Sequence, residues 1–188
     1  LITDGTFTLT AGGGSGAFAS DTVSAKGIKA AANVQIDGGT FQINAADDAL
    51  HSNANITVNG GVFTIATGDD GAHADTTLTI NGGDITITDS YEGLESAVIT
   101  INGGNIQLTS SDDGVNVSGG NDGSGMARGG GRGGRDQFTP ASTNQYLYIN
   151  GGYLVVEARG DGLDANGAIV MTGGTVIVNG PTEQMNGA

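Results

Sequence analysis

Carboxylates recur at one place in this chain. The segments are Asp47-Asp48-Ala49-Leu50-His51, Asp69-Asp70-Gly71-Ala72-His73, Tyr91-Glu92-Gly93-Leu94-Glu95, Asp112-Asp113-Gly114-Val115-Asn116 and Gly160-Asp161-Gly162-Leu163-Asp164. Aligned, they give an acidic position at Asp48, Asp70, Glu92, Asp113 and Asp161, flanked by Asp47, Asp69 and Asp112. Three residues on come His51, His73, Glu95, Asn116 and Asp164. Carboxylates stacked about 5 Å apart repel by roughly 3 kcal/mol per pair at an effective dielectric near 20. Lys26 and Lys29 sit at the earliest related segment and Arg159 at the last, so compensation from within the chain is thin. Oxygen donors of this kind suit calcium, helped by backbone carbonyls at the glycine turns. The competing reading is a solvated acidic face that keeps the molecule soluble. The two histidines with Asp48 and Asp70 also have the composition of a transition-metal site, against a default of surface hydrogen bonding.

Other chemistry is sparse. Tyr148 and Tyr153 flank one Gly-Gly pair on outward parity, with Tyr146 close by, and exposed aromatic rings can stack on sugar rings. A chance cluster, or cover for an adjoining loop, fits the same three residues. Thr57, Thr79 and Thr100, with Thr64 and Thr86, form short ladders that Gln35, Gln42, Gln107, Tyr148 and Val170 interrupt, which argues against an ice-binding face. No GxSxG, HExxH or P-loop is present. Arg159 beside Asp161 and Asp164 is the one lyase-like grouping, and a uniform repeat shows no cleft for it. The expectation is a protein that is not an enzyme.

These residues are positioned by a repeat. VQIDGGTFQI (34–43), ITVNGGVFTI (56–65), LTINGGDITI (78–87), ITINGGNIQL (99–108), LYINGGYLVV (147–156) and VMTGGTVIV (170–178) share one pattern. Equivalent positions run Phe7, Phe41, Phe63, Ile85, Ile106, Leu154 and Val176, in steps of 34, 22, 22, 21, 48 and 22. The unit is 22 residues, with extra chain at Gly12 to Val23 and at 119–145. Period-two alternation around Gly-Gly reads as two short strands joined at a corner. A third apolar touch at Leu50, Ala72, Leu94, Val115 and Leu163 closes each unit into a coil. The expected fold is all-β: a right-handed parallel β-helix of about seven coils. At about 4.8 Å per coil it would be a rod of roughly 30–35 Å.

Stacking would turn repeat positions into files. Phe41/Phe63/Ile85/Ile106/Leu154/Val176 and Ile43/Ile65/Ile87/Leu108/Val156/Val178 supply a core that one coil could not build. Asp37, Asn59, Asn81, Asn102 and Asn150 predict an amide ladder along the corner. The 119–145 insertion, with Arg128, Arg132 and Arg135, is similar in composition to an RGG-type RNA tract, but a plain excursion from an acidic rod accounts for it better.

Composition sets the outer limits. The chain has 188 residues, 36 Gly, no Cys and a formal net charge of -14. That size fits one domain over 1–188. The absence of Cys excludes a disulfide scaffold and any Cys-ligated metal. The charge argues against nucleic-acid partners and anionic membrane surfaces. No apolar run approaches the roughly 18 residues of a membrane span. The opening Leu1-Ile2-Thr3-Asp4 reads as mid-domain, so a fragment of a longer chain is expected.

The INGG copies at 80–83, 101–104 and 149–152, the DDG copies at 69–71 and 112–114, the Gly/Arg-rich insertion and the closing NGPT (179–182) carry a resemblance. Together they make the chain similar, over nearly its whole length, to the clostridial cellulose- and pectin-binding β-helix family. The resemblance implies a secreted carbohydrate-binding domain of pectate-lyase-like right-handed fold, with calcium between coils. By that analogy Asp48, Asp70, Glu92, Asp113 and Asp161, with neighbours Asp47, Asp69, Asp112 and Asp164, would be Ca2+ ligands. Ala25-Lys26 in the first coil and Gly160 in a later one depart from the motif.

The sequence thus leads to a secreted, calcium-stabilised, non-catalytic module for plant-type polysaccharide such as cellulose or polygalacturonate, with Tyr146, Tyr148 and Tyr153 as sugar contacts. The alternative is an adhesive rod whose open ends stack into fibres.

Overall fold

The structure, a computed structural model, describes residues 1–18, 24–118 and 144–182. The insertion at 119–145 therefore lies outside the described residues except for its last two, and Arg128, Arg132 and Arg135 lie outside them entirely. The Gly12 to Val23 stretch is described as far as residue 18.

The chain winds as a parallel β-solenoid, with no helix among the described residues. The first coil comprises β1 (Thr6–Ala11), β2 (Ile28–Ala30) and β3 (Asn33–Ile36). The second is β4 (Thr40–Ala45), β5 (Leu50–Ser52) and β6 (Asn55–Val58). In the third and fourth the last two strands fuse: β7 (Val62–Thr67) with β8 (Ala72–Ile80), and β9 (Asp84–Asp89) with β10 (Leu94–Ile101). The fifth is β11 (Asn105–Ser110), β12 (Val115–Val117) and β13 (Tyr146–Ile149). The sixth is β14 (Tyr153–Ala158), β15 (Leu163–Ala165) and β16 (Ala168–Met171), and β17 (Thr175–Asn179) begins another turn. The molecule therefore has about six turns rather than the expected seven, because the seventh file position belongs to a strand without a described remainder.

Register matches the files read from the repeat. β1, β4, β7, β9, β11, β14 and β17 form one parallel sheet in chain order. Its pairs run Phe7↔Phe41, Phe41↔Phe63, Phe63↔Ile85, Ile85↔Ile106, Ile106↔Leu154 and Leu154↔Val176. The Phe7, Phe41 and Phe63 rings stack at 4.7 and 4.6 Å between centroids, near one coil spacing. The other faces align Leu50↔Ala72, Ala72↔Leu94, Leu94↔Val115 and Val115↔Leu163. The 21-residue step has a local cause. Ser96 pairs with Ala74 but Val98 pairs with Thr77, so β10 skips one residue and absorbs the deletion as an irregularity.

The Gly-Gly corner needs both glycines for different reasons. A Cβ on the first, as at Gly60 or Gly82, would sit 3.0 Å from the carbonyl oxygen of the coil below. The second has positive φ, as at Gly83 (φ 109), where other residues are strained. Beside it the amide ladder is formed as expected. Nδ2 of Asn59, Asn81, Asn102 and Asn150 each donates to the oxygen one coil below, at 2.6 to 2.8 Å, ending on Asp37. Thr172 Oγ1 adds a rung by donating to Asn150 at 2.8 Å.

Candidate functional site: a buried polar column and a tyrosine pair

Most strands alternate buried and exposed residues, but β5 and β12 are buried at all three positions. One side of these short strands meets the apolar core and the other meets the acidic segments. The solvated acidic face is thereby corrected: Asp48 and Asp70 are 0% exposed, Glu92 5% and Asp113 9%. The surface default for the histidines is corrected too, because His51 is 5% and His73 0% exposed. Asp47, Asp112, Asp161 and Asp164 are half-buried, and Asp69 is buried.

The stacking is direct. The backbone N–H of Asp70 donates to Asp48 Oδ1 at 3.2 Å, that of Glu92 to Asp70 Oδ1 at 3.3 Å, and that of Asp161 to Asp113 Oδ1 at 2.7 Å. Each carboxylate thus caps the turn of the coil above, which keeps successive acids in file. Three residues on, Lys29, His51, His73 and Glu95 are paired in register, followed by Glu95↔Asn116 and Asn116↔Asp164.

Counter-charge is uneven along the column. Lys26 Nζ lies 2.7 Å from Asp47 Oδ1 and 2.6 Å from Asp48 Oδ2. Burial works against its ammonium, but the charge of Asp48 and the hydrogen bonds to Asp47 and Asp48 hold its pKa above the ordinary value. Burial likewise opposes the Asp48 anion, and His51 Nδ1 at 2.7 Å together with Lys26 brings its pKa below normal. The middle is different. Burial, followed by the charges of Asp48, Glu92, Asp69 and Glu95, pushes Asp70 well above the carboxylate range. Burial and Glu95 do the same to Glu92, partly opposed by Asn116 Nδ2 donating to Glu92 Oε1 at 2.7 Å. Asp113 is raised to about 7, by burial first and then by Asp112, Asp164 and Asp161, against the stabilising backbone hydrogen bond from Asp161. Burial and a hydrogen bond to Asp112 raise the Tyr91 hydroxyl.

Among the described residues, two groups bring metal-type donors within 4.8 Å of one another: Asp47 with Asp48 and Asp69, and Asp70 with His73 and Glu95. His73 Nδ1 is 2.6 Å from Glu95 Oε2 and 3.3 Å from Asp70 Oδ2. Glu92 Oε2 and Asn116 Oδ1 are buried with no hydrogen-bond partner. The sequence placed Glu95 and Asn116 in file with the histidines but gave them no role. Their signal was the invariant three-residue offset from Glu92 and Asp113.

The tyrosines divide. Tyr146 and Tyr148, on β13, are half-buried and stack with centroids 5.7 Å apart and planes 19° from parallel. Tyr148 lies in register between Thr100 and Val170, on the outer face of its sheet. Tyr153 is 42% exposed on β14, beyond the Gly-Gly corner and in another sheet. Arg159, the lyase-type candidate, is exposed.

A parallel β-solenoid with a buried acidic column and an aromatic pair on its outer face defines the class. Residues 1–71 and 70–114 match the family model described as carbohydrate-binding domain-containing protein. Those matches span more than half of the chain, and the chain belongs to that family. The tyrosine pair and the last acidic segment, at 160–164, follow the matched residues, while Asp112 and Asp113 lie within them. No curated protein and no solved structure matches the chain.

Proposed function

We propose that this solenoid is an extracellular, non-catalytic module that binds plant-type polysaccharide of the cellulose or polygalacturonate kind. The observation that carries the reading is the near-parallel Tyr146–Tyr148 pair on one strand of a carbohydrate-binding family member. A pyranose ring has an apolar face, and aromatic rings held rigidly by a β-sheet offer it a matching surface with little ordering left to lose. Val170, 39% exposed above Tyr148, extends the apolar strip. The test is retention on cellulose and on immobilised polygalacturonate. The wild type should be held on at least one, and Tyr146→Ala/Tyr148→Ala should be lost from it. Equal retention of the double variant would remove the tyrosines from the reading.

Calcium belongs to the upper half of the acidic column. From Glu92 through Asp113, Asn116, Asp161 and Asp164 every side-chain donor is oxygen save the Asn116 amide nitrogen, and Asn116 Oδ1 is buried without a partner. Such oxygens are the ligands calcium takes, and its two charges would offset acids that otherwise resist ionisation. At the lower end Lys26 already sits on Asp47 and Asp48, so those two residues have their cation within the chain. Supported on this half-column, the family analogy predicts a higher melting temperature with calcium and a lower one with EDTA. Identical melting in both would reject it.

A further inference from the structure

Asparagine followed by glycine is a chemically labile pair, because a glycine N–H meets little steric resistance in attacking the side chain before it. Asn59, Asn81, Asn102, Asn150, Asn166 and Asn179 each precede a glycine. We infer that Asn166 is a spontaneous modification site, converted by water to aspartate and isoaspartate, and that the corner ladder is the device that spares Asn59, Asn81, Asn102 and Asn150.

The glycine N–H loses its proton and its nitrogen bonds to the asparagine Cγ. The Cγ–Nδ2 bond then breaks and ammonia leaves with the proton. Water opens the resulting cyclic imide at either carbonyl, so an amide and a water become an acid and an ammonia. Two groups must be free for this: the glycine N–H, and the side-chain amide, which has to turn its carbon toward that nitrogen.

The backbone does not separate the sites. The N–H groups of Gly60, Gly82, Gly103 and Gly151 make no hydrogen bond among the described residues, and neither does that of Gly167. Exposure alone would put the damage on the ladder, since its four asparagines are exposed and Asn166 is half-buried. The side chains reverse that order. Each ladder amide is held at both ends: Nδ2 donates to the coil below at 2.6 to 2.8 Å, and Oδ1 accepts from the coil above, the last rung coming from Thr172. Rotating any of them breaks two hydrogen bonds. Asn166, in the bend between β15 and β16, makes no side-chain hydrogen bond among the described residues. Asn179 ends β17, where pairing with Glu157 keeps its backbone extended.

The ends of the ladder carry no amide to lose. Thr172 stands above. Asp37, followed by Gly38, stands below, and hydrogen bonds from Gln35 Nε2 at 2.9 Å and from Asn59 hold its pKa below the ordinary value. An ionised carboxylate offers a glycine nitrogen no group to displace. Conversion at Asn166 adds a carboxylate two residues from Asp164, and the isoaspartyl form lengthens the backbone between β15 and β16 by a methylene.

The test incubates the full chain in mildly alkaline buffer, folded and in urea, and follows each site by peptide mass mapping with separation of the isoaspartyl form. In the folded chain Asn166 should convert first, and each ladder asparagine should react at least about tenfold more slowly than in urea, because two hydrogen bonds must break on the way to the imide. Asn102→Ala removes one rung, so Asn81 and Asn150 should speed up while Asn59 does not. Should that variant fail to fold, the wild-type map decides alone. Ladder sites that convert in the folded chain as fast as Asn166, an Asn166 that stays intact until urea is added, or unchanged rates at Asn81 and Asn150 in folded Asn102→Ala would overturn the inference.

Discussion

At the scale of single residues, the column works by placing each acid where the backbone of the next coil can use it, at the cost of crowding charge. Lys26 is the counterweight at one end. Lys26→Met would leave the buried Asp48 anion without its ammonium, and removing one partner of a buried pair costs about 3–5 kcal/mol. Urea denaturation at pH 7 should show a loss of that size. Above it, the acids make stability fall with rising pH. Asp113 is raised to about 7 in the fold against an ordinary value of 3.8, so the folded chain holds more protons between those limits. Metal-free protein should therefore gain melting temperature as pH falls from 8 to 5, with Asp70 and Glu92 acting in the same direction. Below about pH 4 Asp48, whose pKa is lowered, acts the other way and stability is lost. A melting temperature in EDTA that is flat or rises from pH 5 to 8 would contradict this balance. The burial of His51 and His73 was not legible in the sequence. Alternation along β5 put His51 opposite the core residue Leu50, and it takes the path of the neighbouring chain to withdraw that second side from water.

At the scale of elements, the 22-residue spacing was enough to set register, because a one-residue slip would turn Phe41 and Phe63 outward. Phe41 stacks between Phe7 and Phe63, and Phe41→Ala should cost about 3–5 kcal/mol, read by the same denaturation assay. At the corner, Gly83→Ala imposes a Cβ at φ 109, with the Gly61 carbonyl oxygen 3.0 Å away. It should destabilise by more than the about 1 kcal/mol that Gly-to-Ala exchange gains at unstrained sites. The tyrosine arrangement was only half visible. Parity put Tyr148 and Tyr153 outward, but outward from two sheets that diverge at Gly151-Gly152, so the stacked partner of Tyr148 is Tyr146, two residues before it on the same strand.

At the scale of the whole molecule, one repeat serves two demands that pull apart. The apolar files need every coil to be alike, while a ligand surface needs one coil to differ. The difference is concentrated in the fifth coil, where β13 brings two tyrosines into files otherwise filled by Asn, Gln, Thr, Val and Ala. Isothermal titration of the chain with oligogalacturonate and cello-oligosaccharides, in calcium, tests that division most directly. The account predicts saturable heat with at least one of them in the wild type and in His51→Gln, and affinity at least about tenfold weaker in Tyr146→Ala/Tyr148→Ala, as expected for losing aromatic contacts worth over 1.4 kcal/mol. Binding of equal strength in the double variant, or no binding of either sugar by the wild type, would contradict it.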